Sequence, residues 1–161
     1  MATLAIINPA TGGQIDEVPA DDAATVALKA AQARAAQPRW QRVPLTERKA
    51  CIERFRALVV RDLESLARTL TLDTGKPIRQ ARNELNGLLG RIDFFLGAVE
   101  RSTGTETVFD EGGMREQIEH VPLGVVGNIS AWNYPWFVGG NVFVPALLTG
   151  KAFDEFVDKD F

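Results

Sequence analysis

This chain of 161 residues has a single cysteine and a single histidine. One cysteine, Cys51, excludes an internal disulfide and fits a reducing compartment. The histidine, His120, has no Cys, His or carboxylate near it at metal-ligand spacing, so it reads as a solvated strand residue and not as a ligand or catalytic base. No G-x-G-x-x-G is present, so the usual dinucleotide fingerprint cannot be invoked. Basic residues form no patch and the formal net charge is −3, which gives no footing for a nucleic-acid surface. The opening MATLAIINPATGG lacks a basic region followed by an apolar core, so no secretion signal is read and cytoplasm is the expected compartment. Internal repeats and low-complexity tracts are absent as well. With 45% hydrophobic and 24% charged residues, the composition is that of a soluble globular protein with a core of its own.

The most informative absence is local. From Val121 to Gly150 the chain reads VPLGVVGNISAWNYPWFVGGNVFVPALLTG, with no Asp, Glu, Lys or Arg. A membrane span is the first reading to test, since about 20 apolar residues cross a bilayer as a helix. Asn128, Asn133 and Asn141 would place amides in hydrocarbon, and Pro122, Pro135 and Pro145 would interrupt the backbone ladder. No membrane is therefore expected. The run divides better at the Ser130 to Tyr134 turn. Leu123 to Ser130 is short, rich in Val, Ile and Gly, and apolar on both faces, as a buried strand of a parallel sheet is. Pro135 suits a first helical turn, and Gly150 suits a left-handed cap. Strand, tight loop and helix follow in order, and in open α/β sheets ligands bind at the carboxyl ends of strands. Ala131, Trp132 and Asn133 thus occupy the candidate binding loop.

The remaining chain supports that unit. Leu4 to Ile7 and Gln14 to Val18 read as a hairpin punctuated by Asn8-Pro9 and Gly12-Gly13. Asp21 or Asp22 can cap a helix running through Ala36, which Gln37, Pro38 and Arg39 should break, leaving Trp40 to anchor the loop. A helix starts near Pro44 to Glu47. Ile52, Phe55, Val59, Leu63, Leu66 and Leu70 then form one apolar stripe, and Gly75 and Pro77 end that helical stretch around Lys76. Ile78, Ala81, Leu85, Leu88, Leu89, Ile92, Phe95, Leu96 and Val99 form a second stripe reaching about Glu100. Both helices should cover the apolar run in helix-on-sheet packing. Thr105 to Phe109 and Met114 to Val121 read as a second hairpin, polar on both faces and so in need of an outside partner. The closing KAFDEFVDKDF, with Phe153, Phe156 and Val157 at helical spacing, reads as a short amphipathic helix or a frayed tail.

The run VPLGVVGNISAWNYPW followed by PALLTG resembles the first strand and helix of the cofactor domain in NAD(P)-dependent aldehyde dehydrogenases. NPATG, Trp40, ERFRAL and LDTGKP match the same family at matching intervals, and the likeness covers roughly residues 4 to 150. It implies an α/β fold: the N-terminal fragment of an aldehyde dehydrogenase-like structure, with helices, two β-hairpins and the first strand and helix of a parallel cofactor-binding sheet. Residues 1–103 would form the N-terminal hairpin and helical part of the cofactor domain. Residues 104–122 would be an oligomerisation hairpin, 123–150 the first strand-loop-helix of the Rossmann-like sheet, and 151–161 a tail unrelated to the family pattern. Asn133 matches the family's oxyanion donor; the structural alternative is a cap on the helix that starts at Pro135. Ile129, Ser130, Ala131, Trp132 and Asn133 match the loop along the nicotinamide-proximal half of NAD or NADP. In some relatives a monovalent cation sits among carbonyls beside the Asn-Pro, here that of Ile7, and the Asp of LDTGK, here Asp73. That Asp serves equally well in closing a helix.

Aldehyde oxidation also needs a thiolate nucleophile, a general base and a grip on the cofactor ribose and phosphates. The family's K-P-S-E, Gly-Ser-x-x-x-G, E-L-G-G and G-Q-x-C motifs have no counterpart in these residues. Cys51 falls early in a helix, far in sequence from Asn133 and with no basic partner, and reads as structural. The expectation is a truncated aldehyde dehydrogenase whose parent activity is NAD(P)-dependent oxidation of a small aldehyde to a carboxylic acid, the isolated chain being inactive. As partners the resemblance implies a homo-oligomer or a homologous chain. Two rivals remain: a non-catalytic interaction module that pairs its hairpin with a full-length homologue, and a membrane-associated protein using the 121–150 run.

Overall fold

The computed structural model describes residues 3–155, with side chains to residue 152. Strands β1 (Thr3–Ile7) and β2 (Gln14–Pro19) form an antiparallel hairpin whose register slips between Ile6 and Ile7. The turn is set locally, because the Asn8 side chain accepts the Ala10 N–H at 2.8 Å.

Asp22 starts helix α1 (Ala23–Trp40) by accepting both the backbone N–H and the hydroxyl of Thr25, each at 2.8 Å. The helix does not break at Gln37–Arg39 as the sequence suggests; it runs through Pro38 to Trp40. The carbonyl that loses its partner to Pro38 belongs to exposed Arg34, at the solvent side of the helix. Beyond that point the Trp40 indole donates to the Leu147 carbonyl at 2.9 Å, tying the last turn to the body.

The stripe from Ile52 to Leu70 lies on two helices and not one. Helices α2 (Leu45–Arg61) and α3 (Leu63–Thr74) meet at Asp62, whose φ and ψ of −103° and 11° leave the helical region. Both halves still bury their stripe, Ile52 and Val59 on one side of the break and Ala67 and Leu70 on the other. Helix α3 ends at Gly75 with φ +72°. There a Cβ would stand 2.7 Å from Pro9 Cγ, so the end of α3 abuts the first hairpin.

Helix α4 (Ile78–Thr103) is the spine, with Ala81, Leu85, Leu88 and Ile92 fully buried. Strands β3 (Glu106–Glu111) and β4 (Met114–Ile118) pair antiparallel and are exposed at every residue. Strand β5 (Val125–Asn128), helix α5 (Pro135–Leu148) and strand β6 (Ala152–Glu155) follow, and β5 pairs with β6 in parallel. The helix or frayed tail expected after Gly150 is therefore corrected for residues 152–155. A strand edge with free backbone groups recruits them into a ladder, which a short amphipathic pattern cannot outcompete. Phe156 and Val157 lie outside the described residues.

Gly150 takes the left-handed conformation, φ +82°, as the cap reading requires. The expected helix-on-sheet packing is corrected too. Helix α5 is apolar around its whole circumference, so α2 and α4 pack on it directly, while α1 and α5 cover β5 and β6. Leu88, Ile92, Val144 and Leu148 make the centre of this core, flanked by the edge-on rings of Phe55 and Phe143, 5.5 Å apart. Val125 and Val126 are only half-buried, because β5 has a single neighbouring strand among the described residues. No described helix is long and apolar enough to cross a membrane.

Candidate functional site

The parallel unit β5–α5–β6 leads into the loop 129–134 at the carboxyl end of β5, the position at which such sheets bind ligands. Asn128 closes the strand: it is 7% exposed and its amide donates to Ser130 Oγ at 2.6 Å. After it the chain opens to solvent. Ile129 and Trp132 are 64% and 80% exposed, and Ala131 and Asn133 are exposed with them. The five sequence-predicted residues, Ile129 to Asn133, are thus contiguous on one accessible loop.

Asn133 lines a groove of about 480 Å³ together with Gln80, Glu84, Gly87, Tyr134 and Phe137. Its side-chain amide makes no hydrogen bond within the described residues, so both N–H donors are available to a ligand. The capping alternative is corrected. The N-cap of α5 is Tyr134, and no side chain of the loop bonds back to the helix. The acceptor comes instead from α4. Glu84 Oε1 accepts the N–H groups of Trp136 at 2.9 Å and Phe137 at 3.3 Å, placing a carboxylate on the positive end of α5. Its other oxygen pairs with the Lys76 ammonium, the two side chains being 0% and 9% exposed. Lys76 also donates to the Asn133 carbonyl at 2.7 Å and lies 4.3 Å from the centre of the Tyr134 ring.

The other candidates stand apart from this groove. Cys51 is half-buried on α2 and is not among the lining residues. His120 is exposed beyond the end of β4, beside Glu119, in a separate polar groove of about 630 Å³. No group of three or more His, Cys, Asp or Glu suited to a metal occurs among the described residues. Ile7 and Asp73 are both exposed, and the elements that carry them meet where Pro9 touches Gly75.

Residues 2–153 fit the sequence pattern of one protein family, the aldehyde dehydrogenases. The chain is a member of that family.

Among curated aldehyde dehydrogenases it is similar to the 3,6-anhydro-alpha-L-galactose dehydrogenase of Streptomyces coelicolor. The two are 35% identical over 153 residues, which cover 93% of this chain and 30% of the relative. Among solved structures it is similar to an aldehyde dehydrogenase of Brucella melitensis, with a TM-score of 0.90 and 26% identity over 96% of this chain and 32% of that one. PnpE, solved in complex with nicotinamide adenine dinucleotide, superposes with a TM-score of 0.88 at 26% identity, again over 96% of this chain and 32% of that one. The chain therefore spans about 30% of the length of the relatives it matches, and it corresponds to the N-terminal portion of the aldehyde dehydrogenase fold.

Sequence reasoning missed Lys76 and Glu84 as partners of the dehydrogenase loop. A signal was present. Glu84 falls between Ala81 and Leu85 on the apolar stripe of α4, and a carboxylate on a core-facing stripe requires a buried partner. Nothing in local periodicity says which cation that is.

Proposed function

We propose that this chain supplies the oxyanion donor and the nicotinamide-side loop of an NAD(P)-dependent aldehyde dehydrogenase that oxidises an aldehyde to a carboxylic acid. One observation carries the reading: Asn133 presents an unspent amide at the mouth of a groove, at the carboxyl end of a parallel strand. As a nucleophile adds to an aldehyde, the carbonyl oxygen gains negative charge. The Asn133 N–H groups are donors for that charge, carried on backbone held from both sides, by Lys76 on the Asn133 carbonyl and by Glu84 of α4 on the first turn of α5. Phe137, Val138 and Gly87 give the same groove an apolar wall opposite its polar residues Gln80 and Asn83.

The loop suits a dinucleotide. Exposed Ile129 and Trp132 offer apolar surface at the strand end, and Ser130 and Ala131 bring backbone polar groups beside it. When bound, NAD or NADP supplies the hydride acceptor. In the same reading the Ile7 carbonyl and the Asp73 carboxylate would hold a monovalent cation, supported by the abutment of Pro9 on Gly75. The nucleophile and the base that hydrolyses the acyl intermediate are absent from these 161 residues, so the chain alone is inactive.

Two measurements test this. The purified chain, given aldehydes and NAD or NADP, yields no reduced cofactor; turnover would refute the inactivity. A chimaera carrying residues 1–150 on the remaining portion of a related aldehyde dehydrogenase turns over, and Asn133→Ala in it lowers the rate by about 10² to 10³, the usual loss for one oxyanion donor. An unchanged rate removes Asn133 from the reaction.

A second reading is favoured by the hairpin β3–β4. Val108, Phe109, Met114 and Ile118 are all exposed on it, an apolar edge available for strand addition to another copy or a full-length homologue. Co-elution with such a homologue supports pairing, and its absence counts against it.

A further inference from the structure

We propose that Lys76 and Glu84 are positioning residues, a buried ion pair that aims the Asn133 amide by gripping the loop before it and the helix after it. The inference rests on Asn133 being the oxyanion donor, but its geometry stands by itself. Lys76 reaches the Asn133 carbonyl and the Tyr134 ring, while Glu84 accepts from Trp136 and Phe137. The pair therefore touches every residue from Asn133 to Phe137 except Pro135, which has no N–H to offer.

Stability is a poor explanation for keeping such a pair. Withdrawing two charges from water costs about what their attraction returns, and well-packed apolar replacements are often neutral or stabilising. Here the charges are almost wholly enclosed, and each ends on a backbone group of the loop–helix junction. The helix side of this junction is also held by the Val138 N–H on the Tyr134 carbonyl and by Trp136 packing on the core, but no side chain of the loop caps the helix. On the loop side, Lys76 is the one side chain that bonds the exposed Asn133 among the described contacts. Without the pair, two helix N–H groups lose their acceptor and the Asn133 carbonyl its donor, and the backbone that carries the Asn133 side chain is free to turn.

The test uses the full chain, labelled for nuclear magnetic resonance. Lys76→Met with Glu84→Leu replaces the pair by apolar side chains of similar size, so a role confined to stability is compensated while aim is not. The expected result is a helix content equal to the parent's, with Trp136 and Phe137 amides exchanging at least ~10-fold faster because their local opening no longer breaks a bond to the carboxylate. The Asn133 side-chain resonances shift and broaden. Lys76→Met with Glu84→Gln keeps a neutral acceptor: it restores protection of Trp136 and Phe137 but leaves Asn133 displaced. Unmoved Asn133 resonances and unchanged exchange in a folded double variant overturn the proposal. Should that variant not fold, Lys76→Met with Glu84→Gln decides, since it removes the grip on the Asn133 carbonyl while keeping an acceptor for Trp136 and Phe137; unmoved Asn133 resonances overturn the proposal there too. None of these readouts needs turnover. A loop that loosens as expected, combined with a chimaera indifferent to Asn133→Ala, would keep the positioning device and discard the oxyanion role.

Discussion

Substituting Gly140 by alanine probes a close approach between α4 and α5. Helices α4 and α5 touch there so nearly that a Cβ at 140 would overlap Leu88 Cδ1, and Leu88 is fully buried. Two effects oppose each other. Alanine in place of glycine inside a helix is worth roughly 1 kcal/mol in its favour. Forcing Leu88 off its rotamer in a filled core costs about 1 to 3 kcal/mol. The steric cost wins, because neighbours such as Leu85, Ile92 and Val144 are themselves fully buried and leave Leu88 no space to turn into. Net destabilisation of about 1 kcal/mol is expected in urea unfolding, with the slope unchanged. Leu88→Ala alone opens a cavity and costs about 2 to 5 kcal/mol. In the double variant the new methyl at 140 occupies part of that cavity, so the combined loss falls short of the sum by about 1 kcal/mol or more. Simple additivity, or a Gly140→Ala protein more stable than its parent, would refute the packing argument.

Removing the indole donor by Trp40→Phe leaves the half-buried Leu147 carbonyl with only the Gly150 N–H, at 3.1 Å, and should cost up to about 1 kcal/mol, read as a lower urea midpoint. Hydrogen bonds from Thr25 hold the Asp22 carboxyl below its ordinary value of 3.8. Its contribution is complete above the unfolded pKa and fades as pH falls through the lower folded one. Asp22→Asn caps without titrating, so parent and variant stability curves should run parallel at neutral pH and converge or cross only in acid; a gap opening above pH 7 would contradict this sign. Arg56→Gln, which removes the exposed pair with Asp93, should change stability by less than about 1 kcal/mol, a difference that shrinks further in salt.

Local chemistry accounts for what the sequence alone determined. Turn residues at Asn8-Pro9, the Asp22 cap, the apolar stripes of α2 to α4, Pro135 and Gly150 each act over at most a few positions, and each fixed an element that the fold retains. The strand, loop and helix of the candidate site were legible for the same reason. Contacts between distant segments decided the rest. Trp40 meets a carbonyl 107 residues away, and α1 continues through a proline that local rules would have end it. Residues 152–155 became a strand because β5 offered an unpaired edge, whatever their own spacing favoured. Lys76 and Glu84 reach the Asn133–Phe137 junction across 57 and 52 residues. Periodicity reports which face of an element avoids water, but only the folded chain chooses which buried charge answers another, since that depends on distances closed by packing.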